Sequence, residues 1–386
     1  MQAFLQRISH RERKYSQAGS RSPLFGFGSH RIMKKERQSN MELLRIVAMF
    51  LVLLVHADFF SIGAPSASDC VNSPVNSSLS VFFEAISIAC VDIFVCLSGW
   101  FGIRPSVRGF SNFIFQCLFW LIGLYIFTLI IGTSSLSKEG LMGCFALTEL
   151  DWFIKAYILL YILAPVLNAF IEKSSQKDFR NVLIAFFTFE LIYGWIFSGS
   201  TQHIQGGYST ISFIGLYLLA RYVRLYQPRI SLKSKNFYIA SLCIAPICVT
   251  AAYIIPPYLG INTTVLGRTW INYVSPYCIV FTIFAIVLFS KIELQSRLIN
   301  WIAASSFAVY LIHTNPNTLY YFKDFFVRLH DGSDGFLFWL YTFGVLILIF
   351  IVAVMIDQIR IVLWTLLWNK LKKRAELKRK TSRWQP

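Results

Sequence analysis

Charge is scarce in this sequence of 386 residues: Asp, Glu, Lys and Arg make up only 14% of it, where a soluble domain carries about 25%. Acid is scarcer still, with 19 Asp and Glu against 36 Lys and Arg. No C-x-x-C spacing occurs among the eight cysteines. Six of them, Cys90, Cys96, Cys117, Cys243, Cys248 and Cys278, fall inside apolar runs and read as small buried hydrophobes. Cys70 and Cys144 fall in connections, where a disulfide is permitted. The short apolar core and small-residue cleavage site of a signal peptide are missing from the N-terminus, and Met33 or Met41 is an alternative candidate for the start. There is no internal repeat. What the sequence does have is apolar length: 56% is hydrophobic, in runs that recur from Met41 almost to the C-terminus. Crossing a bilayer core of about 30 Å takes roughly 20 such residues, and little sequence is left between the runs, which excludes a soluble domain of useful size.

The net charge of +17 is concentrated at the two ends. Residues 1–40 hold nine Lys or Arg against two acids, and residues 369–386 hold eight against one, so each tail supplies +7. Basic segments beside apolar helices signal cytoplasmic retention and attraction to anionic lipid. No aromatic and basic reading surface accompanies them, which argues against a nucleic-acid partner.

The apolar runs predict helices at about 41–61, 80–101, 111–132, 152–171, 181–198, 209–225, 237–256, 272–290, 299–319 and 336–362. Turn formers such as Arg104-Pro105-Ser106 and Gly206-Gly207 separate them. With a cytoplasmic N-terminus, the inner connections and the last turns leading into them hold twelve Lys or Arg, and the outer ones hold four. That obeys the positive-inside rule, and an even count returns both basic tails to one side. The expectation is an all-α, polytopic membrane bundle of about ten transmembrane helices with both termini cytoplasmic. It divides into a basic N-terminal tail (1–40), a membrane domain (41–365) and a basic C-terminal tail (366–386).

Ionisable side chains inside lipid cost about 2.5–3.5 kcal/mol each on insertion scales, so each is a functional candidate. They are Arg45, His56, Asp58, Glu84, Asp92, Glu190 and His313. Arg45 and His56 are eleven residues apart, which at about 100° per residue returns to within roughly 20° of one face and separates them by about 16 Å. Arg45 stands near the inner end and His56 about two-thirds of the way out. His313, on the ninth helix, falls at about the depth of His56, so the two imidazoles are placed to meet. Asp58, Glu84 or Asp92 is placed to orient either of them, though the eight-residue separation of Glu84 and Asp92 puts those two about 80° apart on the helix. Plainer roles exist for each: snorkelling for Arg45, interhelical packing bonds for the histidines, topology for Arg104 and Arg108. Asp151 and Lys155 fit ordinary interfacial anchoring of the fourth helix, and Glu190 is open between a structural and a cavity-lining role. No cluster with zinc-ligand spacing surrounds the two histidines, so no metal is expected.

The segment from Glu42 through Arg45 to His56 resembles the opening of the membrane acyltransferase 3 family, whose signature is Arg, ten residues, then His. Four further segments agree in order: Val91-Asp92 to Ser98-Gly99; Asp151-Trp152 to Tyr157; Gly207-Tyr208 with Gly215, Tyr217 and Arg221-Tyr222; and Ser306 to Tyr310 and His313. Together they span about residues 41–365. One departure stands out: family members often carry Arg-x-x-Arg after the second helix, whereas Arg104 and Arg108 enclose three residues.

The resemblance implies a membrane enzyme of the bacterial inner membrane that moves an acyl group, commonly acetyl, from cytoplasmic acyl-CoA to a hydroxyl of a surface or lipid-linked glycan. Within the family the chain looks similar to the surface-glycan O-acyltransferases, such as those that O-acetylate enterobacterial common antigen. Under that reading Arg45, Arg104 and Arg108 contact the donor phosphates, because guanidinium pairs bidentately with phosphate. His56 is the general base or a transient acyl carrier, and His313 polarises the thioester or shares the proton. Asp92 and Glu84 complete the catalytic group, and Trp152, Tyr157 and Tyr310 contact substrate. The expected partners are acyl-CoA, the glycan acceptor and membrane lipid. Succinyl or other acyl transfer to a different acceptor stays open. So does a glycan transporter or flippase, although that class is expected to show repeated halves with interrupted helices.

Overall fold

The computed structural model describes residues 37–197, 203–261, 269–333 and 335–382, and every regular element among them is helical. Expectations about residues 1–36 and 383–386 of the two tails lie outside the described residues. In chain order the helices are Ser39–Ala57 (α1), Phe59–Ile62 (α2), Ala67–Asn72 (α3), Pro74–Ser87 (α4), Cys90–Phe101 (α5), Val107–Ile130 (α6), Lys138–Gly143 (α7) and Trp152–Lys173 (α8). They continue with Gln176–Glu190 (α9), Thr210–Tyr226 (α10), Lys235–Tyr258 (α11), Pro276–Ser290 (α12), Arg297–Ala303 (α13), Ser306–His313 (α14), Leu319–Asp331 (α15) and Gly335–Ser382 (α16).

Among the described residues, seven stretches are long and apolar enough to cross a membrane: Ser39–Ile62, Pro74–Phe101, Val107–Ile130, Glu149–Lys173, Gln176–Ile196, Lys235–Tyr258 and Gly335–Glu376. The remaining three expected runs are shorter. Helix α10 has 17 residues and α12 has 15. The ninth run is broken into α13 and α14, of 7 and 8 residues. The break falls at Ala304-Ser305, where the Ser305 hydroxyl accepts from Gln358 Nε2 of α16 at 2.9 Å. The run then stops at His313 rather than at 319, because Pro316 disfavours helical backbone before it and Asn315 turns its side-chain oxygen back onto the Asn317 N–H at 3.0 Å. Helix α9 likewise gives way at Leu191–Ile196 to a π turn, a widening that is frequent at functional sites. Helix α15 was not anticipated: it is amphipathic, burying Leu319, Phe322 and Phe326 beneath an exposed charged face.

Helix α1 is apolar on all sides, and a helix of that kind belongs at the centre of a bundle. It buries Met41, Leu44, Leu53, Leu54 and Ala57 and is ringed by α4, α5, α12, α13 and α14. The tightest crossing is between α5 and α10. A Cβ on Gly99 would lie 2.3 Å from the Tyr217 carbonyl oxygen, so only glycine lets the two backbones approach, the small-residue contact by which membrane helices pack. Helix α16 is locked to α6 by a buried group that the short list of intramembrane ionisable residues had omitted. Arg360 pairs with Asp357 through two bonds, and the Trp120 indole donates to the same carboxylate at 2.8 Å.

The first residues of α1 meet the last residues of α5, α10 and α12 at one end of the bundle. Asn40 Nδ2 donates to the Phe289 carbonyl at 2.9 Å, and Arg224 donates to the Trp100 carbonyl. This basic end also receives Arg108, whose guanidinium lies 5.9 Å from the ring of Trp368 on α16. The histidines stand toward the opposite end.

Candidate active site

His56 occupies the last turn of α1 and His313 closes α14. Their side chains meet, His56 Nδ1 to His313 Nε2, at 2.8 Å. The protonation pattern follows from the other end of the chain of bonds. His313 Nδ1 lies 2.6 Å from the Val309 carbonyl oxygen, which can only accept, so this nitrogen carries the hydrogen. In a neutral His313 the Nε2 is therefore a bare acceptor, and His56 must donate to it from Nδ1. That leaves Nε2 of His56 with a free lone pair. His313 is buried, ringed by Tyr310 and Phe322 with centroids 6.2 and 5.3 Å away, whereas His56 keeps accessible surface.

The surface left to His56 belongs to a cavity of about 610 Å³. Its wall is built of aromatic rings. Trp152, at the start of α8, contacts Tyr208 at 4.6 Å and Tyr273 at 6.4 Å between centroids, and Tyr310 contacts Phe153 at 5.5 Å. Tyr208 and Tyr273 were missed in the sequence. Their signal was the Gly206-Gly207 pair: Gly207 has φ +98°, and a Cβ there would lie 2.5 Å from that of Tyr273, so the glycine lets this loop close over the tyrosine. Tyr157 lies deeper along α8, its ring 5.9 Å from Phe153 and its hydroxyl 3.0 Å from Ser98 Oγ. Arg45 is close enough to act on it electrostatically.

The carboxylates do not orient the imidazoles: among the described residues, the hydrogen-bond partners of the two rings are each other and the Val309 carbonyl. Asp92 is buried and turned to Cys278, whose Sγ is 3.3 Å from its Oδ2. Glu190 stands close to Ser212 of α10. Glu84 lines the cavity with His56 and stands close to the Phe59 N–H, while Asp58 accepts the Ser80 hydroxyl at 2.5 Å.

At the basic end Arg45 is ion-paired with Glu42, one turn earlier in α1. Arg104 sits in a connection held by side chains of two helices. Tyr217 accepts the Ile103 N–H at 3.0 Å, Asn168 donates to the Ile103 carbonyl at 2.8 Å, and Tyr161 accepts the Ser106 N–H at 3.0 Å. Arg104 thereby joins Arg221 and Arg224, close enough for their charges to interact, and no ion pair among the described residues includes any of the three. Arg224 also lies over the Trp100 and Phe101 rings, a contact that favours a cation. Arg108 is not in this group: it faces Trp368. Arg224 opens, with Lys291 and Trp100, on a polar cleft of about 800 Å³ at the same end. The arginine group at the basic end thus includes Arg224, which sequence reasoning had counted only for topology.

The chain therefore carries a base-bearing cavity toward one end and an unneutralised arginine group at the other. Among the described residues no group of three or more His, Cys, Asp or Glu side chains is arranged to hold a metal ion. No curated protein and no solved structure matches the chain. Residues 38–358 match the family model described as an acyltransferase domain, which covers more than half of the chain and every residue of the site. The protein is a membrane acyltransferase, and it belongs to the acyltransferase 3 family.

Proposed function

We propose that the protein is an O-acyltransferase of the bacterial inner membrane that moves an acyl group, acetyl in its simplest form, from cytoplasmic acyl-CoA to a hydroxyl of a surface or lipid-linked glycan. The observation that carries this reading is the free Nε2 lone pair of His56, presented to an aromatic cavity and held in that tautomer by His313. An acceptor hydroxyl that donates to this nitrogen passes it the proton as its oxygen attacks the thioester carbonyl carbon. The carbon–sulfur bond then breaks, and the departing thiolate takes the proton from His56 as free CoA. A positive charge formed on His56 is shared through its Nδ1–H with His313.

Both nitrogens of His313 are engaged, so it has no N–H left for the thioester, and its role here is to fix His56. Arg104, Arg221 and Arg224 are the groups best suited to the donor phosphates, with Arg45 between them and the cavity. Placing the basic end in the cytoplasm follows the positive-inside rule and brings the donor from the side where acyl-CoA is made. Aromatic faces such as those of Trp152, Tyr208 and Tyr273 suit the C–H faces of a sugar ring.

The test is transfer from radiolabelled acetyl-CoA to the host's surface glycan by membranes that contain the protein, with His56→Ala at matched expression. Label in the glycan that is lost with His56→Ala supports the reading. No transfer by the native chain from any acyl-CoA tested would overturn it and favour the transporter.

A further inference from the structure

The proton path through His56 leaves two buried acids without a task, Asp58 and Glu84, which are 0% and 4% exposed. Asp58 has one oxygen in use, as acceptor of the Ser80 hydroxyl, and Glu84 stands close to the Phe59 N–H. One oxygen of each, Asp58 Oδ2 and Glu84 Oε2, is enclosed and has no hydrogen-bond partner among the described residues. Among the described residues no Lys or Arg pairs with either. A buried carboxyl group with an empty oxygen and no cation weakens a fold, since such groups repay their burial only when every lone pair is used. Glu84 differs from Asp58 in lining the cavity beside His56. The Phe59 N–H close to it belongs to the third residue after His56, and Glu84 and His56 line the same space.

We infer that Glu84 binds the acceptor substrate: its Oε2 receives one hydroxyl of the acceptor while a second hydroxyl of the same molecule, the one acylated, donates to Nε2 of His56. The inference rests on the proposed function and narrows it. Filling both acceptors takes a molecule with two hydroxyls a few ångströms apart, which is a sugar ring or other polyol and not a lipid alcohol with a single hydroxyl. A carboxyl oxygen that carries no hydrogen accepts one from a hydroxyl, and the aromatic wall is left to the apolar face of the ring. Glu84 forms no bond in the reaction; it sets which hydroxyl reaches His56.

The test uses membranes holding the full chain, radiolabelled acetyl-CoA and purified host surface glycan at varied concentration, comparing the native protein with Glu84→Gln and Glu84→Asp. Loss of one hydrogen bond to the substrate predicts a rise of up to about 10-fold in KM for the glycan with Glu84→Gln. The KM for acetyl-CoA stays at its native value and kcat changes by less than about threefold. Glu84→Asp, which keeps the carboxyl group but withdraws it, gives a measurable rise as well, and it carries the test if Glu84→Gln fails to accumulate. An unaltered glycan KM in either folded variant overturns the inference while leaving the proposed function standing, and so does a fall in kcat at constant glycan KM. If the native chain transfers nothing, the proposed function itself falls and this assignment falls with it.

Discussion

Nδ1 of His56 lies 2.8 Å from Nε2 of His313, a contact between residues 257 positions apart in the chain. Because His313 spends its other nitrogen on Val309, the pair works as one unit with one free lone pair. Replacing His56 by Ala removes the base and is expected to lower kcat by about 10²- to 10⁴-fold. His313→Ala leaves the imidazole of His56 in place but frees its tautomer, and a fall of about 10- to 100-fold is expected. The double variant should fall no further than His56→Ala, since groups that act as a unit are not additive. Initial rates of acetyl transfer at saturating donor measure all three; a double variant that multiplies the two losses would mean that the histidines act separately.

The arginine group at the basic end separates residues that the sequence had treated alike. Arg104 and Arg108 are four positions apart, yet Arg104, in the connection before α6, joins Arg221 and Arg224 while Arg108, in the first turn of α6, lies against Trp368. If the group holds the donor phosphates, Arg224→Ala is expected to raise the KM for acetyl-CoA by about 10-fold or more, the scale of one charged hydrogen bond. Arg108→Ala should change it by less than about threefold, and the effect of Arg224 should shrink as salt is raised. The dependence of rate on acetyl-CoA concentration at two ionic strengths decides this, and equal effects of the two variants would count against the grouping.

Much of this architecture was legible from the residues, for identifiable reasons. Long apolar runs report spans directly, because lipid tolerates little else, and the match of His56 and His313 in depth followed from counting residues at a fixed rise. Breaks were harder to read. The stop of α14 at His313 depends on Pro316 and on Asn315, and the gap before it on a bond from Gln358, a residue 53 positions away from Ser305. Side-chain partners were least legible. Glu84 and Asp92 both looked able to orient an imidazole, but which carboxylate meets which neighbour depends on helix rotation, and Asp92 turned out to face Cys278. Tyr208 stood only within the segment that carries the resemblance, and Tyr273 was expected inside a helix that begins instead at Pro276, so neither was singled out for the cavity.

Gly99 tests the packing that places α10, and with it Arg221 and Arg224. Gly99→Val puts a Cβ into the Tyr217 backbone, which cannot move aside as a flexible side chain would. Overpacking of this kind costs about 1–3 kcal/mol or more, so a marked loss of thermal stability in detergent and of folded protein by size-exclusion chromatography is expected. Gly123→Ala on α6 is the control, because nothing lies within 4 Å of its added Cβ and alanine favours helix. Equal stability of the two variants would mean that α5 and α10 do not cross at Gly99.

The Asp357, Arg360 and Trp120 group makes the last prediction, one about stability alone. Arg360 is 3% exposed on its side chain and Asp357 0%, so removing one partner strands the other charge in the bundle. Breaking a buried pair in this way costs about 3–5 kcal/mol, and Asp357→Ala is therefore expected to lower the unfolding temperature strongly. Asp357→Asn keeps an acceptor oxygen for the Trp120 indole but lacks the charge, and it should fall between the native protein and Asp357→Ala. Asp357→Leu with Arg360→Leu removes both charges and leaves only the indole N–H unpaired; since apolar replacements of buried pairs are often neutral or stabilising, the double variant should recover most of the loss. Thermal unfolding of the four proteins in one detergent measures the order directly. A double variant as unstable as Asp357→Ala would mean that the bond from Trp120, rather than the ion pair, fastens α16 to α6.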